Sequence, residues 1–463
     1  MRRLTLQKIA EITSGGYVGS ADALNYTVTG AVRDDRDVSP GNLFVCISGA
    51  RVDGHSFANR AFDSGAACCL AEHPIPEAKG PYVLVTSTQE AIRKIGGYYR
   101  SLFDIPVIGI TGSVGKTTTK EMIAAALGAK FNVLKTPENM NNELGVPLTL
   151  LSLDESHEAA VIEMGISDFG EMSRLAEMVR PEICVITKIG YSHLKSLGSL
   201  EGVLRAKSEV FRYMEPGGVA VLNGDDELLL AYDPGKRKIT FGFDDGNDFR
   251  AEHLITHGVD EVTFDIVSNT GRFGASVPSY GRHLAAAALA AAAVGRLLGL
   301  NDEDIAKGLL SYSPVGGRAK VIDTGYITLI DDCYNANPNS VMEALSSLAA
   351  LPGRRIAILG DMLELGSLSE QLHLDVGAFA AGSRIDCLIC CGEKAAFIYE
   401  GFTSAGGSEA HYYHEKKELI ADIPTHIKKG DAVLIKASHG MKFEELLPRA
   451  LNAHSHFPAE GMK

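Results

Sequence analysis

Residues Gly112-Ser113-Val114-Gly115-Lys116-Thr117-Thr118 constrain this chain more than any other stretch. The apolar segment Pro106 to Ile110 before them reads as a buried strand, and Lys120 to Ala129 after them reads as a helix. A strand, a glycine loop, Lys-Thr and a helix in that order hold the phosphates of a nucleoside triphosphate. Glycine lets backbone N–H groups approach phosphate oxygens with no Cβ in the way. Lys116 would neutralise the β- and γ-phosphates, and the Thr117 hydroxyl would sit on Mg²⁺. All seven residues, Gly112, Ser113, Val114, Gly115, Lys116, Thr117 and Thr118, are predicted to bind nucleotide. The commonest phosphate loop places a glycine where Ile110 stands here, so this is a shorter subclass.

The chain has 463 residues, a length that suits about three domains. With 45% hydrophobic and 22% charged residues it has globular composition, and its net charge of −14 argues against a nucleic-acid binder. An anionic small molecule held by local Arg and Lys is compatible with that charge. Met1 to Gly16 is charged throughout, which predicts no signal peptide. Leu284 to Val294 is mostly alanine, too short to span a bilayer, and reads as a packed helix. The eight cysteines include Cys68-Cys69 and Cys387, Cys390 and Cys391, the latter in an apolar run resembling a buried strand. No second Cys or His pair stands at finger-like spacing. Free core thiols are therefore expected over a metal site, and with them a reducing, cytoplasmic home.

Three blocks follow along the chain: residues 1–104, 105–314 and 315–463. In the first, Leu43 to Ile47 is a strand candidate after the Pro40-Gly41 turn, and Asp53-Gly54 places His55 on a loop. Functional and structural readings of that loop are evenly balanced. The second alternates strands (Ala159 to Glu163, Ile183 to Ile189, Val219 to Leu222) with helical stretches, which predicts a mainly parallel sheet with helices on both faces. It ends at the Pro/Gly-rich Tyr312 to Gly317, a hinge candidate. Strands at Ile327 to Ile330, Arg355 to Leu359, Cys387 to Cys391 and Ala432 to Ile435 make the third block a smaller α/β unit.

Polar groups collect after these strands. Glu163 closes a strand-like run, where ligands gather in open α/β sheets; it reads as a Mg²⁺ ligand or as an ordinary exposed Glu. His193, in Gly190-Tyr191-Ser192-His193-Leu194, follows another strand, and a lone His is usually structural. Helical spacing gives Lys207 a solvated face. Asp331-Asp332 and then Cys333-Tyr334-Asn335-Ala336-Asn337-Pro338 end a strand of the third block, as Gly360-Asp361-Met362-Leu363-Glu364-Leu365-Gly366 ends another. Polar strand ends on two neighbouring α/β units predict a ligand cleft between them.

Together these segments resemble the Mur ligase family, ATP-dependent amide-forming enzymes of peptidoglycan precursor synthesis. The resemblance covers nearly the whole chain. It rests on Thr111 to Thr118, on Asn139-Met140-Asn141-Asn142-Glu143-Leu144-Gly145-Val146-Pro147, on Glu163-Met164-Gly165, and on the two third-block motifs just quoted. It implies three α/β domains: a small N-terminal one for the UDP-precursor, a central P-loop ATPase, and a C-terminal Rossmann-like one. The implied reaction adds D-alanyl-D-alanine to UDP-N-acetylmuramoyl-tripeptide through an acyl phosphate, with ATP and two Mg²⁺ ions. Thr117 and Glu163 would hold one Mg²⁺. His193 and a carbamylated Lys207 would hold the second. Arg318 would reach the γ-phosphate, and Asp332 would lie near the ribose. Lys116, His193, Lys207 and Arg318 are the expected catalytic residues, and Asn142 joins the nucleotide contacts.

Substrate contacts are expected from Asp35, Arg36, Ser48, Asp53, His55, Asn335 and Asn337. The expected partners are these small molecules, with no nucleic acid and no membrane span, and the chain is expected to be a monomer. Two departures stand out. Leu284 and Ala287 occupy positions where the family has asparagines, one facing adenine, and His439 replaces an arginine. Two other readings remain open: a folylpolyglutamate- or cyanophycin-type ligase of the same superfamily, and a non-catalytic precursor-binding paralogue.

Overall fold

Three β-sheets follow one another along the chain in the computed structural model, which describes residues 4–49 and 52–453. The outer ends of the first and third predicted blocks, 1–3 and 454–463, lie outside the described residues. The first sheet contains β1 (Gly16–Val18), β2 (Gly30–Val32), β3 (Asn42–Val45), β4 (Cys68–Ala71) and β5 (Tyr82–Leu84), in the order β1-β5-β4-β3-β2. Only β1 runs antiparallel to its neighbour. The helix Thr88–Arg100 starts where Ser87 accepts a hydrogen bond from the Glu90 amide, an N-cap. This helix fastens the first sheet to the central one. Its Arg100 donates to the Val179 carbonyl, and its Arg93 meets Glu143, which also pairs with Arg174.

The central sheet contains β6 (Val107–Thr111), β7 (Val133–Lys135), β8 (Ala159–Glu163), β9 (Ile183–Ile186), β10 (Val219–Asn223), β11 (Arg237–Gly242), β12 (Phe249–His257), β13 (Glu261–Ser268) and β14 (Gly271–Val277). Their order is β14-β13-β12-β11-β10-β9-β6-β8-β7. Strands β6 to β12 pair in parallel; β13 and β14 add an antiparallel extension. Buried on both faces, β6, β8 and β9 are continuously apolar except for Thr111 and Glu163 at the ends. Alternate residues serve opposite faces. Ile108, Ile110, Val161 and Val185 pack with Met122, Ile123 and Leu127 of the helix Lys116–Leu127, while Val107, Ile162 and Ile186 join the core shared with the first sheet. The predicted alanine-rich helix is present as His283–Leu297, and its small side chains pack against the helix that follows the phosphate loop.

The third sheet contains β15 (Lys320–Asp323), β16 (Thr328–Asp331), β17 (Arg355–Gly360), β18 (Cys387–Cys391), β19 (Ala410–Tyr413) and β20 (Ala432–Lys436), in the order β15-β16-β20-β17-β18-β19. All its pairings except β15 with β16 are parallel. The architecture is α/β with mostly parallel sheets. All eight cysteines are free and buried. No helix among the described residues is long and apolar enough to cross a membrane.

Candidate functional site

The glycine loop leaves β6 between two neighbours, β8, which closes on Glu163, and β9, which is followed by Thr187. Gly112 has φ 148°, and a Cβ there would stand 2.0 Å from the Thr187 hydroxyl, so the closeness of β9 demands glycine. Thr187 donates to the Val114 carbonyl at 2.5 Å, and the Ser113 amide donates to the Lys188 carbonyl at 2.8 Å, which pins the loop to the exit of β9. Gly115, at φ 78°, opens the helix directly on Lys116, four residues earlier than the sequence suggested. The run of β-branched threonines disguises this start, because their intrinsic helix propensity is low and packing overrides it. Lys116 Nζ lies back on the Gly112 carbonyl at 2.8 Å. Burial lowers its pKa, Glu163 opposes that shift, and Arg318 adds to it.

Glu163 is fully buried at the end of β8. Its Oε2 accepts from the Thr117 hydroxyl at 2.9 Å, and its Oε1 accepts from Asn141 Nδ2 at 2.7 Å. The ordinary exposed-Glu reading therefore fails. Lys120, also fully buried, lies 3.7 Å from Glu163 and donates to the Thr136 carbonyl at 2.7 Å. The sequence reading assigned no role to Asn141 or Lys120. Lys120 stands at i+4 from Lys116, on the same helix face, and that spacing was its available signal.

Lys207 corrects an expectation. Its helix, Leu200–Ser208, does not turn this residue to solvent: Lys207 is 1% exposed. Among the described residues its ammonium has no hydrogen bond or salt bridge. Burial drives its pKa well below the ordinary lysine value, and the Lys116 charge pushes the same way. His193 has φ 52° and caps a short helix, Leu194–Leu197. Burial lowers its pKa, Glu364 opposes this, and Lys207 and Lys116 reinforce it. Lys116, His193 and Lys207 thus lie within electrostatic reach of one another. His193 Nδ1 is 2.6 Å from Glu364 Oε2, a residue beyond β17 that the sequence reading quoted in a motif and left without a role.

Strand ends of the third sheet face this group. Arg318 stacks its guanidinium 3.7 Å from the Tyr334 ring centre. Asp332 is held by Lys436 at 2.6 Å, and Lys436 also donates to the Asn335 carbonyl at 2.9 Å. Asn337 accepts from the Ser340 amide and caps the helix Pro338–Ala349, and Asn142 accepts from the Leu144 and Gly145 amides. Both asparagines commit their side-chain oxygen to local structure. A cavity of about 1350 Å³ lies between the two sheets, lined by Lys116, Glu163, His193, Arg318, Asp332 and Lys436. Leu284 and Ala287 form part of its wall, so that patch offers no hydrogen bond from a side chain. Polar contacts bridge the boundary: Lys188 with Glu343 at 3.0 Å, and the Tyr191 amide with Asn339 Oδ1 at 3.2 Å.

The first-sheet candidates do not line this cavity. Asp35 pairs with Arg60, and Arg36 with Asp34. Ser48 donates to Asp53 at 3.3 Å. His55 is buried in a short 3₁₀ turn, its Nδ1 2.6 Å from Asp53, and its Nε2 accepts from the Glu72 amide at 2.8 Å. Both ring nitrogens are therefore engaged, and the exposed His73 stacks on the ring.

A phosphate loop, an oxygen pair fit for Mg²⁺ and a cationic rim from a second sheet can bring two anions together and screen their repulsion. Family models agree with that chemistry. Residues 28–100 match the Mur ligase family catalytic domain, 110–295 the Mur ligase middle domain, and 317–439 the Mur ligase glutamate ligase domain. The UDP-N-acetylmuramoyl-tripeptide–D-alanyl-D-alanine ligase of Bacillus subtilis is 36% identical over 96% of this chain and 98% of its own length. The crystal structure of MurF from Acinetobacter baumannii superposes with TM-score 0.89 at 30% identity, covering 98% of this chain and 99% of that one. MurF ligase from Thermotoga maritima in complex with ADP gives TM-score 0.82 at 28% identity, covering 92% and 98%. From its phosphate loop to its third sheet, this chain belongs to the Mur ligase family.

Proposed function

We propose that this protein is the cytoplasmic ATP-dependent ligase that joins D-alanyl-D-alanine to UDP-N-acetylmuramoyl-tripeptide in peptidoglycan precursor synthesis. The carrying observation is the cavity itself. Lys116 and Glu163 line it with Arg318 and Asp332, Thr117 donates to Glu163, and the chain aligns over 96% of its length with a ligase of that name. The enzyme forms a C–N bond at the expense of ATP, and its three regions are read as domains for precursor, nucleotide and closure.

The tripeptide's terminal carboxylate attacks the γ-phosphorus, giving an acyl phosphate and ADP. The free amine of D-alanyl-D-alanine then adds to the acyl carbon, and collapse of the tetrahedral adduct expels phosphate. Lys116 and Arg318 supply fixed positive charge where the two anions meet. Thr117 and Glu163 are hard oxygen donors that suit Mg²⁺, which when bound offsets phosphate charge. A second ion would draw on His193 and Lys207. An ammonium has no lone pair to give, but a buried lysine without a counter-anion is ready to react with CO₂, and the carbamate supplies oxygens. Asp332, fixed by Lys436, is read as the ribose contact. Closure of the third region over the central one would keep water from the acyl phosphate.

The test is phosphate release from ATP with UDP-N-acetylmuramoyl-tripeptide and D-alanyl-D-alanine, omitting each in turn. Release should require both, and release independent of the dipeptide sinks the reading. Glutamyl-folate or cyanophycin primers in place of the tripeptide should support none. For carbamylation, Lys207→Ala should lose activity and regain part of it with short-chain carboxylic acids.

A further inference from the structure

Glu364 belongs to the third region, yet it contacts His193, a cavity-lining residue of the central one. Its carboxylate lies 2.6 Å from His193 Nδ1, and its carbonyl accepts from the Lys195 amide at 3.2 Å. Both partners are non-glycine residues in the left-handed region, His193 at φ 52° and Glu364 at φ 64°. Such backbones persist where the surroundings hold them, and they gather at functional sites. We propose that Glu364 is a positioning residue that makes His193 ready for a divalent cation only when the third region is closed on the central one. This rests on the ligase reading given above.

A carboxylate can only accept, so in the neutral ring the proton belongs on Nδ1 and the lone pair stays on Nε2. His193 lines the cavity, and Nε2 has no hydrogen bond among the described residues. A lone pair on one imidazole nitrogen with a carboxylate on the other is how proteins orient a metal-binding histidine. Unlike the usual arrangement, the orienting group here arrives from a different sheet. When the regions part, the ring loses its partner and both tautomers become available. Closure and readiness of the imidazole are therefore one event. Glu364 is 59% exposed, so the pair adds little to stability, and anchoring alone does not account for it.

The test uses the full-length protein with ADP and Mn²⁺ as the probe, with free Mn²⁺ read by electron paramagnetic resonance. Glu364→Ala should weaken the weaker Mn²⁺ site by about 10-fold or more and raise the Mg²⁺ needed for half-maximal ligation by a similar factor. Melting temperature and KM for ATP should stay near wild type. Glu364→Asp, which keeps the acceptor, should restore part of the Mn²⁺ affinity. Mn²⁺ affinity and Mg²⁺ demand within twofold of wild type in Glu364→Ala would overturn the proposal. So would a loss matched by a fall in melting temperature that Glu364→Asp leaves unrepaired. Wild-type protein that shows no dipeptide-dependent phosphate release would sink the ligase reading instead, and the Mn²⁺ measurement would still decide the role of Glu364.

Discussion

Two histidines among the described residues sit 2.6 Å from a carboxylate, and they differ at the other ring nitrogen. His55 meets Asp53 two residues away, inside one turn, and its second nitrogen accepts the Glu72 amide. His193 meets Glu364 across a boundary between sheets, and its second nitrogen belongs to the cavity. The contact distance is the same and the chemistry is the same. What separates them is whether the far side of the ring is already used. A saturated imidazole braces a loop; one with a nitrogen to spare can take a ligand.

The contrast breaks first at the cavity. Lys116→Ala should cut ligation on the order of 10³-fold with little change in the unfolding curve, because its charge acts where the anions meet. Retention of a tenth of wild-type kcat would show the cavity has been misread. At the other histidine the effect should fall on stability. His55→Ala strands the Glu72 amide, while Asp53 keeps the residue-55 amide, Ser48 and His73, so the cost should be about 1–2 kcal/mol, read by urea unfolding and by faster amide exchange in β3 and β4. Next in size is the coupling between His193 and Glu364. A double-mutant cycle in kcat/KM should return about 1–2 kcal/mol of interaction, where additive losses would mean the two act separately.

A third pair, Glu409 with His411 at 3.3 Å, sharpens the comparison at its weak end. Burial tends to raise the Glu409 pKa, yet hydrogen bonds from Arg354 and His411 hold it down at about 2, below its ordinary 4.5. A depressed carboxyl stabilises the fold above the unfolded-state value and loses that effect as the pH falls. Glu409→Gln should therefore be slightly less stable than wild type at neutral pH, and the gap should close between pH 4.5 and 2. The carboxylate is nearly half exposed, so solvent screening keeps the gap small. A gap that widens on acidification would contradict the sign.

Strands were the legible part of the sequence. Ala159–Glu163 and Cys387–Cys391 occur with the bounds their apolar runs suggested, because strands buried on both faces must be continuously apolar. The antiparallel extension was overlooked, although Val262, Phe264 and Ile266 alternate with Glu261, Thr263 and Asp265 in the period of a half-buried strand. The phosphate loop and the acid closing β8 were readable as a site because both lie at strand ends. Lys207 entered only through the family resemblance, since helical spacing names a face but not what covers it. Glu364 was quoted in a motif and left without a role, because nothing local to it shows that it meets a residue of another sheet.

Three of the polar contacts across the boundary come from one stretch, residues 188–195, beside apolar packing in which Leu194 and Tyr280 share a core with Val341 and Leu365. Such polar contacts together are worth no more than a few kcal/mol. Where these polar contacts decide between apart and together, a bound triphosphate touching both sides can tip the balance. Tempo would then depend in part on Lys188 and Tyr191: edits there would shift how long the finished peptide lingers while leaving His193 in place.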